Sequence, residues 1–351
     1  MKRILCLVLV VGSLAAGCRE SSAPAATRAP VPPAAPTSTT LASWPVHPDR
    51  TGMLSLGTSY VAWVDRRRAV VVADVGSGER QTVHRTAYAG GEIGAVEPMG
   101  RRVLVVDVRP GESASGPPAA WRLVAVDRRS GRWRVLTASR RGAPSWAPVP
   151  VSGGAVAGWV TRRLDRSAGG VAHTWRPGSA PRRWGRVGRA SLVGITPEGV
   201  VLSRYGGGSV RGLGRDDLEL RGPGGVRRLT RDGLVVEADL DGSTLTWSER
   251  ADRGHQSADP VEIHALDLGD PAATPRVLRQ PTGYALRAGD GFVLWSGHGL
   301  RVAPLEGGPE AVLSGHLVPG PSYQPDVRGD RVAYVIRTAD GPRLVVARVG
   351  T

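Results

Sequence analysis

Short apolar runs alternate with turn residues along this chain, and one phrase recurs over most of its length. Each copy begins with Gly or Asp-Gly and continues as an apolar run that usually ends in an aromatic residue. The copies are Gly57–Trp63, Gly100–Val105, Gly154–Trp159, Gly199–Leu202, Asp241–Trp247, Asp290–Trp295 and Gly329–Tyr334. Short apolar runs bounded by Gly turns are typical of β-strands, and no stretch has a sustained helical period. The pattern predicts an all-β chain without helices.

The spacing of the copies indicates a repeat architecture. Their glycines lie about 40 to 55 residues apart, which is the length of a four-stranded β-propeller blade. Further apolar runs follow after a turn, as Val70–Asp74 and Leu123–Asp127 do. We therefore expect a β-propeller of four-stranded antiparallel blades, with seven blades, or six if the Gly199 copy is degenerate. A β-sandwich is the weaker alternative, because sandwiches do not repeat one phrase.

The last repeat ends after two apolar runs, at Val349, and lacks an outer strand. An open sheet edge invites aggregation, so a closed ring needs this strand from elsewhere. The segment Leu41–His47 precedes the first repeat, and we expect it to close the ring.

Five aromatic residues occupy equivalent positions in the repeated phrase: Trp63, Trp159, Trp247, Trp295 and Tyr334. Large aromatic side chains at equivalent strand positions favour packing between adjacent blades over a ligand platform. We expect all five to be core residues.

The N-terminus has the pattern of an export signal. Lys2-Arg3 precede an apolar run from Ile4 to Leu14, and small residues then lead to Cys18. This arrangement resembles a bacterial lipobox, whose cysteine carries lipid, and an ordinary secretory signal with a chance cysteine is the alternative. We expect a signal peptide at 1–17, a disordered Ala/Pro/Ser/Thr tether at 18–43 and the propeller at 44–351. Lipid on Cys18 would hold the protein at the extracytoplasmic face of the cell membrane.

Charge narrows the class of partner. The chain has 46 Lys and Arg against 31 Asp and Glu, a formal net charge of +15, and Lys2 is its only lysine. A GC-rich genome that encodes Arg in place of Lys accounts for part of this usage. Such a surface attracts an acidic envelope protein or an anionic polymer, whereas nucleic acid is a poor partner for an exported protein. Beyond Cys18 there is no cysteine, which excludes a disulfide or a thiol nucleophile in the domain.

Arginine recurs in the turn that follows the repeated phrase. The residues concerned are Arg66, Arg67, Arg109, Arg162, Arg163, Arg204, Arg250 and Arg337, and the remaining repeat has His298. Equivalent turns of a propeller reach the same rim, and guanidinium groups bind carboxylates and phosphates through paired donors. We expect a partner-binding rim there. The alternative is that these are ordinary polar turns in an Arg-rich chain.

Signals for catalysis and for metal binding are weak. The chain has no G-x-S-x-G turn and no H-E-x-x-H motif. His255 and His264 bracket Asp259 and Glu262, but the intervening Pro260 and the spacing argue against a metal site. We expect no catalytic residue, no metal and no cofactor.

Three segments carry a family resemblance. Tyr323–Asp326 leading into Arg331–Val335 resembles the W-S-P-D-G-x-x-I-A-F phrase of TolB-like (PD40) propeller repeats, Thr196–Gly199 is a partial second copy, and Arg227–Thr230 resembles the end of such a blade. The other copies lack the Pro-Asp pair. In TolB-like proteins the repeats are scaffold and the usual function is protein binding in the periplasm, so the resemblance implies the same here.

These observations lead us to expect a monomeric, lipid-anchored binding module for an acidic protein or polymer of the cell envelope. The alternative is a propeller lyase or glycosidase that acts on an acidic saccharide. It would need groups such as Tyr205, His173 and Asp239 to converge on the central channel. A purely structural role is a third possibility.

Overall fold

A computed structural model describes residues 34–47, 53–112, 117–139, 145–163, 169–205, 216–250, 262–279, 284–297, 299–317 and 324–350. Every regular element in these ranges is a β-strand, which confirms the all-β prediction. Within the same ranges no helix has the length and apolarity that a membrane crossing requires.

The strands fall into seven antiparallel groups, which we call units one to seven. The first strand, β1 (Thr37–Pro45), pairs with the last strand and is part of unit seven. Unit one contains β2 (Leu54–Leu56), β3 (Tyr60–Asp65), β4 (Ala69–Asp74) and β5 (Arg80–Arg85). Unit two contains β6 (Glu92–Met99), β7 (Arg102–Arg109), β8 (Ala120–Asp127) and β9 (Trp133–Ala138). Unit three contains β10 (Ser145–Trp146), β11 (Val151–Gly153), β12 (Val156–Arg163), β13 (Gly170–Trp175) and β14 (Arg182–Gly188).

The remaining units follow the same plan. Unit four contains β15 (Ala190–Thr196), β16 (Gly199–Tyr205), β17 (Asp216–Gly222) and β18 (Gly225–Arg228). Unit five contains β19 (Val235–Asp241), β20 (Thr244–Glu249), β21 (Glu262–Asp267) and β22 (Arg276–Arg279). Unit six contains β23 (Tyr284–Ala288), β24 (Phe292–Gly297), β25 (Gly299–Pro304) and β26 (Ala311–Ser314). Unit seven contains β27 (Asp326–Arg328), β28 (Arg331–Thr338), β29 (Gly341–Gly350) and β1.

The first strands of the units form the inner ring. Strands β2, β6, β11, β15, β19, β23 and β27 contact one another in that order, and β27 contacts β2. A single pair, Asp216 with Val235, joins units four and five into one sheet, so hydrogen bonding alone gives six sheets among the described residues. The arrangement is that of a β-propeller, and the number of blades remains a prediction.

The N-terminal strand closes the ring as expected, but it is longer than the sequence indicated. Strand β1 pairs with β29 from Thr37 opposite Gly350 to Pro45 opposite Arg343. Residues Thr37–Thr40, which lie in the predicted tether and before the predicted closing segment, therefore belong to the sheet. The reason is that β-branched threonines fit an extended edge strand well.

Glycine explains the repeated phrase. The turn between the first and second strands of a unit contains Gly100, Gly154, Gly242 or Gly329, each with φ between 53° and 60°. Residues with a Cβ rarely adopt this left-handed conformation. Because adjacent strands are antiparallel, these turns lie at one end of each unit with the third-to-fourth strand turns. The arginine turns, between the second and third strands, lie at the opposite end.

The five aromatic residues at equivalent positions of the repeated phrase are core residues, as expected. Trp63, Trp159, Trp247, Trp295 and Tyr334 are all 6% exposed or less. Each shares a buried cluster with residues of the preceding unit, as Trp159 does with Leu104 of unit two. Their function is to hold neighbouring units together.

Candidate functional site

The predicted arginine rim is only partly accessible. Arg162 donates to the Ala190 carbonyl and, at 2.8 Å, to Ser191 Oγ of unit four. Arg204 Nη1 lies 3.2 Å from the buried Glu219 carboxylate, and Arg250 is itself buried, with 5% exposed. These three side chains are therefore engaged within the domain, which a sequence pattern of turns does not reveal.

Four other rim residues are exposed. Arg67 Nη1 lies 3.7 Å from Glu92 Oε2, while Arg66, Arg109 and Arg337 have no ion pair among the described residues. Arg66 and Arg67 have φ of 50° and 60°, a conformation that costs roughly 1 kcal/mol or more per residue with a side chain. The side chain of Arg163, His298 and the lipidation candidate Cys18 lie outside the described residues.

Charged side chains meet at the centre of the ring instead. They are Glu97 of β6, Glu237, Asp239 and Asp241 of β19, Arg287 of β23, and Asp326 and Arg328 of β27. Arg328 Nη2 donates to Ser152 Oγ at 2.8 Å and lies 3.4 Å from Glu97 Oε1, while its Nη1 lies 3.8 Å from Asp241 Oδ1. Arg328 thus contacts units two, three and five from unit seven.

Burial changes the protonation of this group of acids. It raises the pKa of Glu97 to about 7, against the opposing effect of Arg328. It raises the pKa of Asp239 to about 6, against the effect of Arg287, and it also raises the pKa of Asp241. Two carboxyl groups that exchange protons near neutral pH therefore lie in the central channel.

The same carboxylates also join units to one another. Glu97 Oε1 accepts from Ser152 N at 3.0 Å, Asp239 Oδ2 from Ala288 N at 2.8 Å, and Asp326 Oδ2 from Leu56 N at 2.6 Å. Each of these hydrogen bonds links the first strands of neighbouring units. The channel acids consequently have a structural function whether or not they also contact a ligand.

Of the two described side chains proposed for an enzyme, Asp239 lies in the channel and His173 does not. His173 lies on β13, the third strand of unit three, where its ring stacks on Trp159 at 5.6 Å between centroids. The side chain of Tyr205 lies outside the described residues. The convergence that an enzyme would need is therefore not found for His173 and Asp239, and it is untested for Tyr205.

A cleft opens beside the channel, at the end of the units opposite to the arginine rim. It has a volume of about 1230 Å³ and runs between units three and four, with Arg176, Arg182, Trp184, Glu198 and Arg328 in its lining. A smaller pocket of about 530 Å³ shares Arg328 with it and extends towards Asp290 and Arg331. Arg328 therefore connects the channel to both openings.

The strongest charge asymmetry lies next to this cleft. Residues 128–197 contain fourteen Arg and one Asp, so this stretch carries +13 of the chain's net +15. In its described part, the outer strand β14 and its flanking turns present Arg176, Arg182, Arg183, Arg186 and Arg189 to solvent, and none of them has an ion pair there. We call these five arginines the unit-three patch. Trp184, 37% exposed, lies among them.

The sequence contained this signal, but it was not found by comparing equivalent turns. The search for repeated positions selects residues that recur around the ring, whereas the unit-three patch belongs to one unit. The long acid-free run between Arg128 and Pro197, interrupted only by Asp165, would have identified it.

Comparison with known proteins supports the fold. No family model matches the chain, and no curated protein matches it either, so the TolB-like assignment stays a resemblance. The β-propeller domain of the Trilobed protease from Pyrococcus furiosus is 11% identical with a TM-score of 0.58, covering 85% of this chain and 94% of that one. A chain of the Mitotic Checkpoint Complex is 11% identical with a TM-score of 0.56, covering 99% and 98%.

An oligogalacturonate lyase in complex with manganese is also similar, at 13% identity and a TM-score of 0.50, covering 85% of this chain and 76% of that one. The similar structures thus include enzymes and a chain of a protein complex. At such identities the likeness shows the β-propeller fold and leaves the function to be argued from this chain's own residues.

Proposed function

We propose that this protein is an extracytoplasmic, membrane-anchored β-propeller that binds an anionic polymer of the cell envelope without catalysis. The unit-three patch is the contact surface. The anchor is the lipid predicted on Cys18, and the tether before β1 sets the distance of the propeller from the membrane.

The observation that supports this function is a row of exposed guanidinium groups that have no ion pair within the described part of the chain. An arginine that already pairs with a carboxylate has little to offer a ligand, as Arg204 illustrates with Glu219. Arg182, Arg183 and Arg186 lie on one outer strand, and none of them has an ion pair among the described residues. Uncompensated arginines attract carboxylates and phosphates and bind them with two parallel hydrogen bonds.

The extent of the patch favours a polymer over a small ligand. At about 3.3 Å per residue, Arg182 and Arg186 are separated by roughly 13 Å along β14, and Arg176 and Arg189 extend the surface on either side. One small anion contacts one or two of these groups at a time. A chain with regularly spaced charges contacts several together.

A specific observation favours a second candidate, an enzyme acting on an acidic saccharide. Glu97, whose pKa is about 7, is suited to proton transfer at neutral pH, and it neighbours Arg328 of the cleft. However, Glu97 also accepts hydrogen bonds from Ser152 and Ser55, so a structural link between units accounts for its buried position equally well. We therefore rank this candidate second.

A matched pair of triple variants tests the binding function. One carries R182E, R183E and R186E in the unit-three patch, and the other carries R66E, R109E and R337E at the arginine rim. Both change the net charge equally. Binding of polygalacturonate and of polyglycerol phosphate is measured by biolayer interferometry at low and physiological salt.

We expect the patch variant to bind at least one of these polymers about 100-fold more weakly than wild type, at roughly 1 kcal/mol per exposed contact. The rim variant should lose less than about tenfold. Equal losses would show a mere net-charge effect, and a larger loss in the rim variant would move the site to the rim. Unchanged binding in both variants would contradict the binding function. Release of unsaturated or reducing ends from polygalacturonate by wild type but not by E97Q would favour the enzyme instead.

A further inference from the structure

Unit five contains a three-residue group of metal-binding side chains at the end of two paired strands. Glu249 lies opposite Glu262, and Trp247 lies opposite His264, in the register of β20 with β21. His264 Nε2 is 3.4 Å from Glu249 Oε2 and 3.2 Å from Glu262 Oε2. All three candidate ligand atoms lie within 4.8 Å of one another.

The geometry of this group differs from that of a hydrogen-bonded pair. His264 Nε2 is buried, and despite the short distances it has no hydrogen bond with a described residue. Two ligands of one tetrahedral ion, each about 2.1 Å from the metal, are roughly 3.4 Å apart. The two separations around Nε2, 3.4 and 3.2 Å, are close to this value, and all three atoms lie within 4.8 Å of one another, a spacing that one shared ion can span.

Neighbouring groups hold two of the three side chains in place. Trp247 Nε1 donates to Glu249 Oε1 at 2.6 Å, which leaves Oε2 as the oxygen that faces His264. The imidazole ring of His264 stacks on the Trp247 indole, with centroids 5.2 Å apart and planes 9° from parallel. Hydrogen bonds that fix a ligand from behind are a usual feature of protein metal sites.

We propose that Glu249, Glu262 and His264 bind a divalent transition-metal ion of the zinc type. One imidazole nitrogen and two carboxylate oxygens form a donor set that suits zinc, whereas calcium and magnesium prefer oxygen alone. Three protein ligands leave a coordination position open to water or to an anion. The site lies apart from the unit-three patch and does not depend on the function proposed for it.

The prediction of no metal site at His264 and Glu262 rested on their spacing from His255 and Asp259, the nearest candidates along the chain, which lie outside the described residues. Glu249 is distant from them in sequence and was not among those candidates. The strand register supplies Glu249 as the third ligand.

Unit three provides a matched position without the carboxylates. Trp159 lies opposite His173, and Thr161 lies opposite Val171, in the same register. His173 stacks on Trp159 with planes 9° from parallel, and its Nε2 lies 3.0 Å from Thr161 Oγ1. His173 is thus the control for His264, because the two histidines share their packing but not their carboxylate neighbours.

The test is zinc binding by tag-free, EDTA-treated protein, measured by isothermal titration calorimetry. We expect wild type and H173A to bind one Zn²⁺ per chain with similar affinity. H264A, E249Q and E262Q should bind it at least tenfold more weakly than wild type. Cobalt should give the visible absorption of a four-coordinate ion in wild type and H173A, and this signal should be absent from H264A.

The competing explanation is an imidazolium ion pair with no metal. Wild type that binds zinc no better than H264A, or that loses it equally in H173A, would overturn the proposal. Since H264A removes a stacked ring, E262Q serves where H264A fails to fold, because the Glu262 side chain is 46% exposed. Thermal unfolding in the presence of zinc adds a second readout, since only variants with an intact site should be stabilised.

Discussion

Units three and five share a scaffold and differ in the charge that they carry. In both, a buried Trp of the second strand stacks on a His of the third. Two residues further along the strands, unit three has Thr161 and Val171, whereas unit five has Glu249 and Glu262. Unit three also presents an outer strand whose exposed arginines have no ion pair among the residues that the structure describes. The first unit is suited to anions, and the second to a cation.

This difference indicates that the repeated residues determine how the units pack, whereas residues that do not recur determine which ligand each unit is suited to bind. The indole nitrogens illustrate this point. Trp159 Nε1 has no hydrogen-bond partner among the described residues, while Trp247 Nε1 donates to Glu249. The same core residue therefore serves packing alone in one unit and supports a polar group in the other.

The largest expected effect tests the shared scaffold. W159A and W247A should each lower the free energy of unfolding by about 3 to 5 kcal/mol, because each removes a fully buried indole from a cluster between units. Urea unfolding followed by circular dichroism measures this. W184A, at an exposed position, should change it by less than about 0.5 kcal/mol. Losses that differ strongly between W159A and W247A would show that the two scaffolds are not equivalent.

A smaller effect, the pH dependence of stability, tests the buried carboxyl groups that attach units three and five to their neighbours. Glu97 links β6 to unit three, and Asp239 links unit five to unit six. Their pKa values, about 7 and about 6, lie above the ordinary values, so the folded protein keeps protons that the unfolded chain has released. Stability should therefore fall as pH rises, from about 4.5 to 7 for Glu97 and from about 4 to 6 for Asp239.

The measurement is the free energy of unfolding between pH 4 and 8. Glu97 contributes at most about 3 kcal/mol to the fall in stability with rising pH. E97Q should abolish the fall above pH 6, whereas D239N should leave that part of the curve almost unchanged. E306Q, at a side chain that is 83% exposed in the turn between β25 and β26, is the control. A wild-type slope retained in E97Q would contradict the assignment.

The smallest expected effect is a gain of zinc binding in unit three, which would remove the difference between units three and five. T161E with V171E gives unit three the carboxylates of unit five around His173. We expect zinc binding that is detectable but about tenfold weaker than at His264, because the nearby Arg183 disfavours a cation. Calorimetry in an H264A background isolates the new site. No binding at all would mean that more than the three ligands defines the site in unit five.

Local patterns made much of the fold predictable. Gly154 and Gly242 recur because the turn needs a left-handed residue, and Trp159 and Trp247 recur because each fills the same space between units. Such requirements act on a few neighbouring residues and leave a periodic trace. The closing strand was predictable because the last repeat lacked one, although its start at Thr37 was not.

The candidate sites were less predictable, for a physical reason. Whether Arg250 or Arg66 is exposed depends on what packs over each turn, and a turn pattern contains no information on that. The channel charges come from strands far apart in the chain, as Glu97 and Arg328 show. Glu249 and His264 meet only through strand register.

By itself, the sequence determined the all-β repeat, the buried aromatics and the concentration of positive charge in one stretch, because propensity, periodicity and net charge are local properties. The tertiary structure alone decided which arginines are exposed, which carboxyl groups lose their solvent in the channel, and which side chains come close together across strands, as Glu249, Glu262 and His264 do. Those properties arise from burial and from distances across strands, which only the folded ring establishes.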